Sequence, residues 1–176
     1  MVRSFRFVVP ARQADSTDSY RWQETENRAG LMFTYGPSSL KRLSGAHPDL
    51  IRIFMRVAEH LNVSILESTR SVQQQEANVR KGVSKTIDSK HLHVPSDAID
   101  AAPYPLRWPD RNSVYFLKDL CRWYHFGGVV TATAREMKLR GEIESNIRWG
   151  GDWDGDNVFI DQKFDDLPHI ERTDDD

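Results

Sequence analysis

The chain has 176 residues, 39% of them hydrophobic, a formal charge of −2 and one cysteine, Cys121. That length suits one domain, and the composition excludes a disordered polymer, a membrane-spanning bundle, a disulfide framework and a cysteine-based zinc finger. The charge is uneven: residues 151–176 carry a net −8 and residues 1–150 a net +6, a mildly basic body with an acidic end and no global basic field for nucleic acid.

Residues 1–31 read as an N-terminal extension, in which residues 5–9 can form a strand and residues 13–27 are polar without a clear period. The body, residues 32–173, opens near Met32 and turns at Gly36-Pro37-Ser38. Pro48 suits the first position of a helix, and Leu50, Ile51, Phe54, Val57, Ala58 and Leu61 follow at helical spacing. Val63, Ile65 and Glu67 alternate as a strand. Ser71 caps a second helix that runs to about Lys81 and stops at Gly82. Residues 98–102 form the next strand, and Pro103, Pro105 and Pro109 a rigid connection. A long helix over residues 113–122 is expected to turn Val114, Leu117, Leu120 and Cys121 inward, then to restart after Gly127-Gly128 and reach Leu139. Residues 147–151 and 168–171 supply the last strands, and residues 174–176 a solvated acidic tail. This order predicts an α+β fold, a small antiparallel sheet flanked by helices.

With no cysteine cluster, any metal site must use nitrogen and oxygen ligands from the six histidines and 26 acids. Three segments stand out: Ser89-Lys90-His91 leading to Asp100, Trp149-Gly150-Gly151-Asp152-Trp153, and Asp166-Leu167-Pro168-His169. Each alone has ordinary structural explanations. They occur in order with Ser39-Leu40-Lys41-Arg42-Leu43-Ser44-Gly45-Ala46-His47-Pro48-Asp49-Leu50, Ser68-Thr69-Arg70-Ser71 and Ser84-Lys85-Thr86. In that order the chain resembles the zinc peptidoglycan peptidases of the D-alanyl-D-alanine carboxypeptidase type, and among them the bacteriophage L-alanyl-D-glutamate endopeptidases, or endolysins. The resemblance spans about Phe33 to Glu171 and implies a hedgehog/D-Ala-D-Ala-peptidase-like fold.

The resemblance implies His91, Asp100 and His169 as zinc ligands, three protein groups that leave the open fourth position of a catalytic site. It implies Asp166 as the general base and Arg70 as a clamp for a substrate carboxylate or developing oxyanion. Ser84 and Ser89 match positions linked to substrate binding. The commoner family spacing from His to Asp is seven residues; here His91 to Asp100 is nine, and His93 stands seven before Asp100. His93 therefore competes, although the Ser-Lys-His motif favours His91. His47 reads as a helix-start or packing residue, and Cys121 as a buried small hydrophobe.

The loop Asp152-Trp153-Asp154-Gly155-Asp156-Asn157 alternates oxygen ligands. Asn157 at its sixth position and Lys163 at its twelfth exclude an EF-hand. A weaker calcium site on Asp152, Asp154 and Asp156, completed by Asp161 or Asp165, remains as an expectation. The implied activity is hydrolysis of the stem peptide of bacterial peptidoglycan, at the L-Ala–D-Glu bond, for host lysis. The alternative is a D-alanyl-D-alanine carboxypeptidase or dipeptidase; a wall-binding component with a dead site is a third reading. The Met1 end shows no apolar run of signal-peptide length. The expectation is a monomer made in the host cytoplasm that reaches the wall once the membrane is permeabilised, without inserting in it.

Overall fold

The computed structural model describes residues 33–173 together with two short strands, β1 (Ser4–Arg6) and β2 (Gln23–Thr25), which pair antiparallel. The strand expected over residues 5–9 overlaps β1 at Phe5 and Arg6, and β2 falls in the stretch expected to lack a period. The rest of the extension and the acidic tail lie outside the described residues.

The body begins with a helix that the sequence reading did not expect, α1 (Pro37–Leu43). It covers the edge of strand β3 (Val63–Glu67): Ser39 Oγ accepts from the Ile65 amide at 3.2 Å, and Arg42 Nη1 donates to the Ile65 carbonyl at 2.9 Å. An uncovered edge strand exposes a row of unpaired backbone groups, and α1 satisfies them with side chains. It buries only Leu43 in the core, so it carries no amphipathic stripe to find.

Helix α2 (Pro48–Val57) starts as expected. His47 is its N-cap, with Nδ1 accepting from the Asp49 amide at 3.2 Å, and Pro48 stands in the first turn. Leu50, Ile53, Phe54 and Val57 are fully buried, each worth about 1.5–3 kcal/mol relative to exposure. Asp49 is also buried, and its Oδ2 receives the Glu144 amide at 3.1 Å, the Ser145 amide at 3.0 Å and the Ser145 hydroxyl at 2.7 Å. Helix α3 (Val72–Arg80) is capped by Ser71 at its start and Lys81 at its end, and Gly82 just beyond takes φ +71°.

Helix α4 (Phe116–Leu139) runs without a break through Gly127-Gly128. A Cβ on Gly127 would lie 2.4 Å from the Trp149 indole, so this glycine permits close approach of helix and sheet rather than ending the helix. The buried face is Trp123, Phe126, Val130, Ala134 and Met137; Val114, Leu117 and Cys121 are exposed and Leu120 only partly buried. Leu117 and Cys121 turn outward because the packed face is set by Trp123, Phe126 and Val130, a stripe that runs through the glycines and so is hidden when the helix is broken there.

Strands β4 (Ala98–Pro103), β5 (Asn146–Trp149) and β6 (His169–Thr173) complete an antiparallel sheet in the order β3-β4-β6-β5. Helices α2 and α4 pack together, and α4 lies across β4 and β5, with Ile65, Ile99, Ala101 and Ile170 buried between them. This is the α+β fold that the sequence predicted.

Candidate metal centre and active site

The register of the sheet builds the site. Glu67 on β3 stands opposite Asp100 on β4, and Asp100 opposite His169 on β6. Side chains two apart on a strand share a face, so Glu171 joins His169, and Arg148 on β5 stands opposite Glu171. One row across four strands thus gathers two acids, a histidine and an ion pair. His91 arrives from a one-turn 3-10 helix, Lys90–Leu92, whose N-cap Ser89 accepts from the His91 amide at 3.4 Å.

His91, Asp100 and His169 each offer a ligand atom within 4.8 Å of one another. His91 Nε2 and His169 Nδ1 lie 3.3 and 3.2 Å from Asp100 Oδ1. The far side of each ring is held by a group that can only accept. Nδ1 of His91 donates to the Ser68 carbonyl at 2.6 Å, and Nε2 of His169 donates to Glu171 Oε2 at 3.0 Å. Those outer nitrogens therefore carry hydrogens, and the inner ones share hydrogens with Asp100 until a cation displaces them and takes up their lone pairs. Three electron-rich atoms facing one point, with carbonyl and carboxylate partners behind the histidines, form a nitrogen–oxygen donor set that fits a zinc ion.

The electrostatics agree. Burial opposes ionisation of Asp100, yet hydrogen bonds from His169 and His91 hold its carboxyl well below the usual range. Burial also disfavours charge on His169, but hydrogen bonding to Asp100 and Glu171 raises it to about 9. Glu171 resists its own burial through His169 and Arg148, which bring it to about 2. The cluster attracts positive charge.

His93 is elsewhere. Its Nδ1 meets Asp97 at 2.6 Å, and Asp97 is also paired with Arg172. Arg70, expected to clamp substrate, is only 10% exposed and already engaged: its Nε and Nη2 go to Glu67, Nη1 to Gln75 at 2.7 Å, and Nη2 faces Asp100 at 3.4 Å. In this arrangement it braces Asp100. Gln75 extends the brace by donating to Ser84 Oγ at 2.9 Å and to the Thr86 carbonyl at 2.6 Å.

Asp166 lines the same cleft as the cluster, as do Arg70, Ser84 and Ser89; the cleft has a volume of about 860 Å³. Burial, with the Asp100 charge adding to it, raises the Asp166 carboxyl against the pull of His169, His91 and Arg70. A raised carboxylate nearer the working pH suits proton transfer. Its backbone is clamped: the Asp166 amide donates to the Gly150 carbonyl at 2.7 Å, and the Gly150 amide to the His169 carbonyl at 2.8 Å. A Cβ on Gly150 would sit 2.4 Å from the Asp166 carbonyl oxygen, which explains glycine there.

Trp153 lies beside His169, centroids 5.7 Å apart, with the Arg148 guanidinium 5.4 Å from the Trp153 ring. Glu171, Arg148, Glu67 and Gln75 were not singled out by the sequence reading. Only Glu171 had a usable signal, its position two after His169 on an expected strand.

Residues 31–173 match the family of phage L-alanyl-D-glutamate peptidases. The chain belongs to this family. It is 26% identical over 138 residues to the L-alanyl-D-glutamate peptidase of Escherichia phage T5, covering 75% of this chain and 90% of that protein. Its fold is similar to the crystal structure of the Serratia marcescens L-Ala D-Glu endopeptidase ChiX, with a TM-score of 0.54 and 24% identity over 78% of this chain and 87% of the other. Among the described residues, no helix is long and apolar enough to cross a membrane.

The acidic loop forms a second cluster. Asp152, Asp154 and Asp156 also offer oxygens within 4.8 Å of one another. Asp152 is buried, and its two oxygens accept from the Gly155 and Asn157 amides at 3.0 and 3.2 Å. Neither Asp161 nor Asp165 joins this group.

Proposed function

We propose that the chain is a zinc-dependent peptidoglycan endopeptidase that opens the L-Ala–D-Glu bond of the stem peptide, with residues 32–173 as its catalytic unit. The observation that carries this reading is the convergence of His91 Nε2, Asp100 and His169 Nδ1 beside Asp166 in one cleft, in a chain of this family. His91, Asp100 and His169 would hold the zinc, which when bound polarises the scissile carbonyl and acidifies water. Asp166 takes the proton of the attacking water as its oxygen bonds to the alanine carbonyl carbon. It then returns that proton to the D-Glu nitrogen as the C–N bond breaks. Arg70 orients Asp100 and lends positive charge near the developing oxyanion. Ser89 fixes the turn that presents His91, and Ser84 with Gln75 holds the rim where the peptide lies.

For Asp152, Asp154 and Asp156, mutual convergence supports a calcium role that orders the loop between Trp149 and Asp166. The enzyme acts on the wall after synthesis in the host cytoplasm, with the basic body favouring an anionic surface. Mass spectrometry of muropeptides after digestion of purified sacculi tests the assignment, with Asp166→Ala as control. New D-Glu amino termini are the expected product; release of D-alanine alone would replace the reading with a carboxypeptidase.

A further inference from the structure

The cleft has a wall that the chemistry above does not use, formed by Trp108 and Pro109. Trp108 is 55% exposed, a large apolar surface left to solvent beside a binding site. Its ring stacks on the buried Trp123, centroids 5.0 Å apart and planes 22° apart, so one face is covered and the other is open. The segment bearing it is tied to α4: Trp123 Nε1 donates to the Arg107 carbonyl at 2.8 Å, and Arg122 Nη2 to the Pro105 carbonyl at 2.6 Å. The result is a preorganised plate that needs no substrate to hold it in place.

We propose that Trp108 is the platform for the muramyl sugar that precedes the stem peptide, a subsite that rests on the L-Ala–D-Glu reading above. In peptidoglycan the nitrogen of L-Ala is joined to the lactyl group of N-acetylmuramic acid. A peptidase that opens the next bond therefore meets a sugar one residue from the scissile carbonyl. At about 3.3–3.6 Å per extended unit, alanine and lactyl together span about 7 Å, so the sugar falls within the same cleft. The cleft volume of about 860 Å³ is towards the upper end for sites enclosing drug-sized ligands, which leaves room beyond the two residues at the bond. The C–H face of a pyranose is apolar and flat enough to lie on an indole, with its hydroxyls at the edge in water. Trp153, the other tryptophan lining the cleft, is placed between His169 and Arg148 and donates its indole N–H to the Phe164 carbonyl at 2.8 Å. Trp108 has the open face.

The test compares two substrates that differ only in the sugar: a disaccharide–tetrapeptide muropeptide and the same tetrapeptide with an N-lactyl cap. The readout is the ratio of their kcat/KM values in wild type, Trp108→Ala and Trp108→Phe. In Trp108→Ala the ratio should fall about three- to tenfold, the size of an aromatic stacking contact, through KM of the muropeptide, and Trp108→Phe should restore most of it. A proportional loss on both substrates, or no loss on either, would overturn the platform. Wild type that cuts both substrates at another bond would overturn the bond assignment on which it rests.

Discussion

Two trios of ligand-bearing side chains each converge within 4.8 Å, His91–Asp100–His169 and Asp152–Asp154–Asp156, yet they are held by different means. The first sits on strands and a capped turn, and every outer nitrogen and carboxylate has a partner outside the trio. The second sits within one loop, with Asp154 and Asp156 exposed and its hydrogen bonds made to neighbouring amides. Convergence alone does not distinguish them. The supporting shell does: it fixes which ring nitrogens are turned outward, so one trio is preorganised to accept a cation while the other would have to be held together by one.

The comparison can be broken most forcefully at the ligands. His91→Ala should abolish zinc retention and turnover, measured by metal analysis and muropeptide release, whereas His93→Ala should keep both; the reverse would move the site to His93. Asp166→Asn should retain zinc but lower kcat by about 10²–10⁴-fold, the usual contribution of a general base. Loss of metal in that variant would make Asp166 a ligand instead. Glu171→Gln removes the charge behind His169 and should weaken zinc affinity by about 10–100-fold in a chelator competition. Unchanged affinity would reduce Glu171 to a packing role.

How much of this was legible in the sequence follows the same divide. His91, Asp100, Asp166 and His169 stand in recognisable segments, and their order along the chain was enough to propose them. Arg148 behind Glu171, and Glu67 beside Asp100, depend on strand register, which no local pattern encodes. Helix α1 was missed because it covers a strand edge with Ser39 and Arg42 rather than burying a stripe. The face of α4 was misread because Gly127 looks like a stop until Trp149 is seen to occupy its missing Cβ position.

Away from the candidate metal centre, Asp49 sharpens the contrast between a satisfied and a loosely held acid. Burial raises its carboxyl, but bonds from the Ser145 hydroxyl and the Glu144 and Ser145 amides bring it below the usual value. A depressed folded-state pKa contributes stability above the unfolded value of about 4, and that contribution is lost as pH falls through the folded value. Asp49→Asn should therefore cost about 1.5–3 kcal/mol at neutral pH in denaturant unfolding, with the gap to wild type closing on acidification below about pH 4. A pH-independent gap would assign the loss to packing. The smallest effect is expected at the loop: EGTA, with zinc kept saturating, should lower turnover less than any of these substitutions. No change in rate, together with no rise in melting temperature on adding calcium, would delete the calcium reading.

The paired closures at the base of the acidic loop have an evolutionary and engineering consequence. Gly150 is joined to Asp166, and Trp153 to Phe164 through its indole N–H, so residues 154–163 leave and rejoin the body across two rungs, with Phe159 packed back on Tyr124 and Trp149. Past the Phe159 contact, exposed Ile160 and Asp161 mark where the loop can change length. Lengthening a flexible loop costs only about 0.6 kcal/mol per doubling, and His169 and Asp166 stay on the near side of both rungs. Inserted peptides, reporters or host-specific recognition segments can be grafted there while the reacting groups keep their places.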